Sequence, residues 1–433
     1  MLLKVVSILA AGAFGAAEAS LRKPVVQTGL DVLIRSSYSA LHGKKVLVLT
    51  NPTGITPDLD LGVDVMVESG SVDLVGVMGP EHGFRGTSQN GNGEATFVDA
   101  KTGLTVYDAY NVNTTVIQSY IKESGADTLM FDIQDVGARF YTYTWAMYDS
   151  MVAAAMSNIS YVVLDRPNPI TGLNAFGPVL NESFVNSYVG RRAIAQAHGM
   201  TAGEMAKMFV GEGWIKESAG GLDLPSLNVV EMKGWKRSMD FVDTKLPWVL
   251  PSPNMPTLDT AMLYPGTCMF EGTSISEGRG TARPFEIMGA PWTNESWTTA
   301  MRDLQIPYTD YRFQCFTPTT SKFDSTISCG LQTYMAVETD YAHSTFDPVY
   351  VGVGLLWTAR HLYANGSTEP NEGNYTASFH WRQNGDYYDI DLLVGSPLIR
   401  EGIETGLHPS QIKAAWKGEL DLFKKRRSKY LLY

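Results

Sequence analysis

The stretch Thr128-Leu129-Met130-Phe131-Asp132-Ile133-Gln134-Asp135-Val136-Gly137-Ala138-Arg139 decides how the rest of the chain is read. A short apolar run without polar alternation breaks into a polar, glycine-containing turn, as a strand buried on both faces does where it leaves a sheet. Helical patterns flank it at 115–124 and 144–157, and the same grammar recurs outward. Lys45 to Thr50, Val72 to Met78, Leu104 to Tyr107 and Tyr161 to Leu164 read as further buried strands, and 201–212 as a helix opened by the capping-box pair Thr201 and Glu204. Alternation of two-faced apolar strands with helices predicts an α/β fold, a Rossmann-like, doubly wound N-terminal domain. A domain of residues 20–225 is expected to be followed by a smaller α/β (α+β) C-terminal domain, 226–433, that completes a cleft; the strand-like Leu227 to Met232 marks the transition. Pro251 to Pro291 reads as a long irregular block folded over that cleft, and the basic run Lys424 to Arg427 as the solvated end of a helix.

With 433 residues, 44% hydrophobic and 18% charged, the chain has ample material for large cores, and its 45 acidic against 34 basic residues exclude the footprint of a nucleic-acid binder. Seven scattered histidines and three cysteines point to no metal centre. There is no Gly-x-Ser-x-Gly elbow, no Walker A sequence and no His-Glu-x-x-His helix, and the pairs Gly91/Gly93 and Gly352/Gly354 lack the third glycine of a dinucleotide loop. No cofactor is expected.

The start of the chain, with Lys4, an apolar run from Val5 to Ala17 and the small-x-small end Ala17-Glu18-Ala19, predicts a signal peptide over 1–19 and a secreted, extracellular protein. That run is too short to span a bilayer, so no membrane association is expected after cleavage. Six Asn-x-Ser/Thr sequons, at Asn113, Asn158, Asn181, Asn294, Asn365 and Asn374, fit a glycoprotein of a eukaryotic secretory route and should lie on the surface. In an oxidising compartment Cys315 and Cys329 are the closest pair in sequence and the candidate disulfide, leaving Cys268 as a small buried hydrophobe.

Ligands of open α/β sheets bind beyond the carboxyl ends of the strands. There the chain carries Gly79-Pro80-Glu81-His82-Gly83-Phe84-Arg85-Gly86, then Asp132 to Arg139, then Asp165-Arg166-Pro167-Asn168-Pro169, so Glu81, Asp132, Asp135 and Asp165 are expected to converge on one crevice. Carboxylates gathered in a cleft suit acid/base chemistry, because burial and repulsion set their proton affinities apart. The competing reading is that Asp132 or Asp165 caps a helix or pairs with Arg139 or Arg166. Glu81, in a glycine-rich turn at a strand end, is placed to face a ligand. His82 orients it or a substrate hydroxyl, unless it is a hydrogen-bonded structural residue. Arg85, Arg139 and Arg279 match a substrate carboxylate bidentately, with plain ion pairs as the alternative. Tyr141, Tyr143 and Trp145 supply either a sugar-stacking face or core. Asp165, Arg166, Asn168, Asn254, Glu271 and Glu277 complete the candidate binding residues.

The motifs at 79–86, 132–143 and 164–170, with Tyr264-Pro265-Gly266-Thr267-Cys268-Met269-Phe270-Glu271-Gly272-Thr273, Ser276-Glu277-Gly278-Arg279-Gly280-Thr281 and the closing Tyr430-Leu431-Leu432-Tyr433, resemble the exo-β-N-acetylmuramidase family, the NamZ-like or DUF1343 proteins, from about residue 30 to the C-terminus. The resemblance implies a cleft between a Rossmann-like domain and a smaller one. It also implies release of terminal β-linked N-acetylmuramic acid from the non-reducing end of peptidoglycan fragments, with the glutamate of the Pro-Glu-His-Gly turn, Glu81, as the catalytic residue. The sequons depart from a bacterial pattern. On this basis Glu81 is expected to protonate the leaving oxygen, and Asp135, or else Asp132, to activate water or stabilise the transition state. Non-catalytic amino-sugar binding and hydrolysis of a different acyl-amino sugar are the rival expectations.

Overall fold

The computed structural model describes residues 26–89, 91, 93–185, 189–336, 345–364, 367–370 and 376–433. The leader-like segment 1–19, Asn365 and Asn374 lie outside the described residues.

A seven-stranded sheet organises the first half. Its strands are β1 (Lys45–Thr50), β2 (Asp73–Gly79), β3 (Phe97–Val98), β4 (Thr105–Asp108), β5 (Thr128–Asp132), β6 (Ser160–Leu164) and, after a small β7/β8 pair (Phe176–Val179, Ala195–Ala197), β9 (Leu227–Val230). The order is β3-β4-β2-β1-β5-β6-β9, parallel throughout except for β3. Val48 of β1 stands beside Val77 on one side and Met130 on the other. Strand order therefore reverses at β1, the place where such sheets open a crevice. Leu227–Val230, placed by sequence at a transition, pairs with β6 as the sheet's last strand.

Helices cover both faces, as uninterrupted apolar strands require. α1 (Gly29–Arg35) and α2 (Gly62–Ser69) pack Leu30, Leu33, Val63 and Met66 onto Val46, Val48 and Val77. α3 (Thr114–Ser124), α4 (Tyr143–Met156) and α5 (Ala202–Gly211) pack on the opposite face, in a core that continues into the second half through Leu263, Val353 and Phe423. The expected ends hold to within a residue for α3, α4 and α5, and Thr201 accepts from the Glu204 N–H in the capping box.

The second half carries an antiparallel sheet, β10 (Ile287–Ala290), β12 (Ser328–Met335), β11 (Thr309–Phe316), in which Cys315 and Cys329 sit opposite each other and form a disulfide. Pro251 to Pro291 is not irregular throughout: it holds a helix, Leu258–Thr267, a 3-10 turn, Cys268–Gly272, and β10. Residues 260–267 of that helix are all buried, so no polar face advertises it, and Gly266 lets it touch the helix Pro348–Tyr363 so closely that a Cβ there would lie 1.9 Å from the Pro348 carbonyl oxygen. The basic run also departs from expectation. Arg427 ends the helix Lys417–Arg427 buried, donating to the carbonyls of Leu173, Asn174, His198 and Gly199. Beyond it, Leu432 N–H donates to Glu204 and the Tyr433 hydroxyl to Asp165, fastening the chain end to the first sheet.

Candidate active site

The turn after β2 is built to present Glu81. Gly83 N–H closes on the Pro80 carbonyl at 2.9 Å, with His82 and Gly83 both in the left-handed region, φ 73° and 81°. A non-glycine residue held there marks strain maintained by its surroundings. Glu94 maintains it, accepting from Phe84 N–H at 2.5 Å and from the Thr87 hydroxyl. A Cβ on Gly83 would lie 2.6 Å from a Glu94 carboxylate oxygen, so glycine serves both the angle and the space. Burial pushes the Glu94 carboxyl above its ordinary value.

Glu81 itself is half-buried. One carboxylate oxygen accepts from Gly91 N–H at 3.0 Å and the other from the Thr142 hydroxyl at 2.9 Å, Thr142 being the residue that precedes α4. Among the described residues it has no charged cationic partner. His82, buried, bonds through Nδ1 to the Ser88 carbonyl, and burial holds its imidazole below the ordinary value against the pull of Glu81.

Both residues line a cleft of about 210 Å³ between the strand ends of the first sheet and the Pro251–Pro291 block. Tyr141, Tyr264 and Phe285 form an edge-to-face aromatic wall, centroids 5.6 and 4.8 Å apart. Asn254, Ser252 and Tyr110 add polar edges, and Glu271 with Arg279 completes the lining from the second half. Past Glu271 and Arg279 the space continues into an annex of about 380 Å³, which Glu277, Lys322, Arg382 and Asp389 also line. Burial alone would raise the Glu277 carboxyl, but Lys322 at 2.8 Å and Arg279 at 3.4 Å hold it below the usual range.

The fold thus brings together Glu81, His82, Tyr141, Asn254, Glu271 and Arg279 around one cleft, with Glu277 on its annex. The other candidates lie elsewhere, each for a physical reason. Both oxygens of Asp132 accept from Arg166, at 2.6 and 3.1 Å, in a buried pair that also caps the Ile55 carbonyl. Asp165 accepts from Thr201, Gly203 N–H and Tyr433, so it anchors the start of α5 and the chain end; burial pushes its carboxyl up to about 7. Asp135 accepts from Gly137 N–H at 2.7 Å and does not line the cleft, and burial pushes it too up to about 7. Its neighbour His198, 3.9 Å away, is pulled down to about 3 by burial and stays neutral. Of the four carboxylates expected to converge on one crevice, Glu81 alone lines the cleft, and the other carboxylate on its lining is Glu271 from the second half.

Arg85 is bound to Asp64 and Asp99 on the outer side of the turn. Arg139, fully buried and with no carboxylate near, is pulled down to about 9; it donates to the carbonyls of Val189, Leu393 and Val394 and so clamps two residues of the cleft rim. Asn168 satisfies Ile170 and Thr171 N–H and the Met200 carbonyl. Tyr143 and Trp145 are core, bonded to the carbonyls of Pro251 and Arg139, leaving Tyr141 as the aromatic of that stripe that reaches the cleft. Sequence reasoning did not assign roles to Thr142, Glu94, Lys322 or Arg382; Thr142 stands inside a motif already singled out, whereas the others carry no local signal.

The four described sequon asparagines, Asn113, Asn158, Asn181 and Asn294, are exposed, and Asn113 also caps α3. Among the described residues no helix is long and apolar enough to cross a membrane, and no group of three or more His, Cys, Asp or Glu is placed to hold a metal ion.

Residues 46–259 match the family described as exo-beta-N-acetylmuramidase NamZ, N-terminal, and residues 262–433 its C-terminal counterpart. The chain is 40% identical over 413 residues to the peptidoglycan beta-N-acetylmuramidase NamZ of Bacillus subtilis (strain 168), covering 95% of this chain and 92% of that one. Among solved structures, one DUF1343 family protein of Bacteroides fragilis NCTC 9343 superposes with a TM-score of 0.81 at 31% identity, covering 95% of this chain and all of that one (100%). A second from the same organism superposes with a TM-score of 0.69 at 28% identity, covering 94% and 99%.

Proposed function

The chain belongs to the exo-beta-N-acetylmuramidase NamZ family and is a glycosidase, and from that premise we propose that its cleft releases terminal β-linked N-acetylmuramic acid from the non-reducing end of peptidoglycan fragments, with Glu81 as the proton donor to the departing glycosidic oxygen. The observation that carries this reading is the state of Glu81. It is a cleft-lining side chain fixed by two neutral donors and, among the described residues, in no salt bridge, so it is placed to exchange a proton with a ligand. Tyr141, Tyr264 and Phe285 offer apolar ring faces and edges against a pyranose, and Asn254 and Ser252 offer hydrogen bonds to its acetamido and hydroxyl groups.

Replacing Glu81 by Gln keeps the shape and its hydrogen bond from Thr142 while removing the acid. Turnover of a muramic-acid-terminated saccharide should fall by roughly 10²-fold or more with the melting temperature unchanged. Mass spectrometry of the products from defined muropeptide fragments is the measurement, and free N-acetylmuramic acid appearing at a near-normal rate from the variant would remove Glu81 from the mechanism.

The same reading places the enzyme outside the cell as a glycoprotein, supported by the leader-like start and by the exposure of four sequon asparagines. N-terminal sequencing of protein recovered from culture medium should begin near Ser20; a retained Met1 would rule out cleavage there.

A further inference from the structure

An inverting glycosidase needs a second carboxylate besides the acid, and Asp132 and Asp135 do not line the cleft to supply it. Glu271 does. It stands on the 3-10 turn that follows the helix Leu258–Thr267, and it lines both the cleft and the annex. Arg279 directs two N–H groups, Nε at 2.9 Å and Nη2, at the same carboxylate oxygen, Oε1. The bidentate fork that would occupy both oxygens, as Arg166 does on Asp132, is not formed. Oε2 is thereby oriented and, among the described residues, receives no donor, on a side chain that keeps 31% of its surface exposed.

The support behind Glu271 is rigid. Arg279 lies over the Phe285 ring at 4.9 Å and is held from its other side by Glu277. Glu277 in turn is pinned by Lys322, whose remaining N–H groups go to the Phe270 and Ile275 carbonyls. Phe270 and Glu271 are adjacent, so the chain of contacts closes on the turn it positions.

We propose that Glu271 is the general base of the hydrolysis, taking a proton from a water molecule that enters from the annex, with Arg279 as its positioning residue. The inference rests on the glycosidase reading above and on Glu81 as the acid. In the step, Glu81 gives its proton to the bridging oxygen as the bond from that oxygen to C1 breaks, and the shortened saccharide leaves as an alcohol. The water oxygen bonds to C1 from the opposite face while one of its protons passes to Glu271 Oε2. The proton gained by Glu271 returns to Glu81 through solvent, and no electron is exchanged. An annex of about 380 Å³ behind the base provides the room for water that an inverting arrangement demands.

The test uses the full-length enzyme and a β-linked N-acetylmuramic acid glycoside with a good leaving group. Glu271→Gln and Glu271→Ala should each lower turnover by roughly 10²-fold or more. Azide should restore Glu271→Ala, giving an α-configured glycosyl azide, a rescue that a misfolded variant could not show. Proton NMR of the wild-type reaction should show the α-anomer appearing first. Turnover within about threefold of wild type, loss that azide does not relieve, or a β-anomer as first product would each overturn the assignment. If Glu81→Gln is inactive on muropeptide fragments while the Glu271 variants are not, the acid stands and the base is wrong. If the wild-type enzyme releases no N-acetylmuramic acid, both fall together.

Discussion

Two acid-rich corners lie at the carboxyl end of the same sheet, a few residues past the ends of its strands, and they have opposite fates. At the reversal point beside β1, Asp132 and Asp165 have every strong acceptor position filled by Arg166, Thr201, Gly203 and Tyr433. The space left there, among Thr53, Gln134, Arg166 and Phe241, amounts to about 20 Å³, room for little more than a water molecule. Beyond β2, Glu81 meets, among the described residues, two neutral donors and borders about ten times that volume. A strand-end carboxylate in an α/β sheet is therefore not a site by position alone. Whether the fold fills its acceptor positions and closes the space beside it decides whether its charge serves packing or a ligand.

Breaking the buried pair tests this most strongly. Asp132→Ala leaves the Arg166 guanidinium buried without its counter-charge and should destabilise the fold by about 3–5 kcal/mol, read from urea unfolding. The kcat of the protein that remains folded should stay within about twofold of wild type, because Asp132 touches no part of the cleft. Unchanged stability, or a fully folded protein without turnover, would erase the distinction between the two corners.

A smaller effect sharpens it. Burial pushes the Asp135 carboxyl from 3.8 up to about 7, so the folded protein keeps that proton over a range where the unfolded chain has released it. What the group contributes to stability is complete below about pH 4 and is lost as the pH rises to about 7. Asp135→Asn, which cannot ionise, should match wild type in acid and gain on it steadily between pH 4 and 8 in thermal melts. A difference that does not vary with pH would mean that Asp135 releases its proton in the fold as readily as in the unfolded chain.

Much of this was legible in advance because it is local. The two-faced apolar runs announce a covered parallel sheet, the pair Thr201 and Glu204 announces the start of α5, and the Pro80 to Gly83 turn announces that Glu81 leaves its strand abruptly. The helix Leu258–Thr267 was hidden for the opposite reason, since burial on all sides erases the 3.6-residue stripe that marks a surface helix. Arg427 was hidden as well: its basic neighbours suggest solvent, while four backbone carbonyls from residues 173–199 draw it inside.

The partner choices were beyond reach of any local pattern. Asp132 takes Arg166, Asp165 takes Tyr433 from the last position of the chain, and Glu271 comes to face the cleft of Glu81 from 190 positions away. By itself the amino-acid order pointed to the buried strands, the turn that carries Glu81 and the family, since these follow from side-chain periodicity, backbone preference and motifs over a few neighbours. Only the tertiary structure decided which acids are neutralised and which remain available, because an ion pair or a hydrogen bond depends on distances of about 3 Å that folding alone brings about between remote segments.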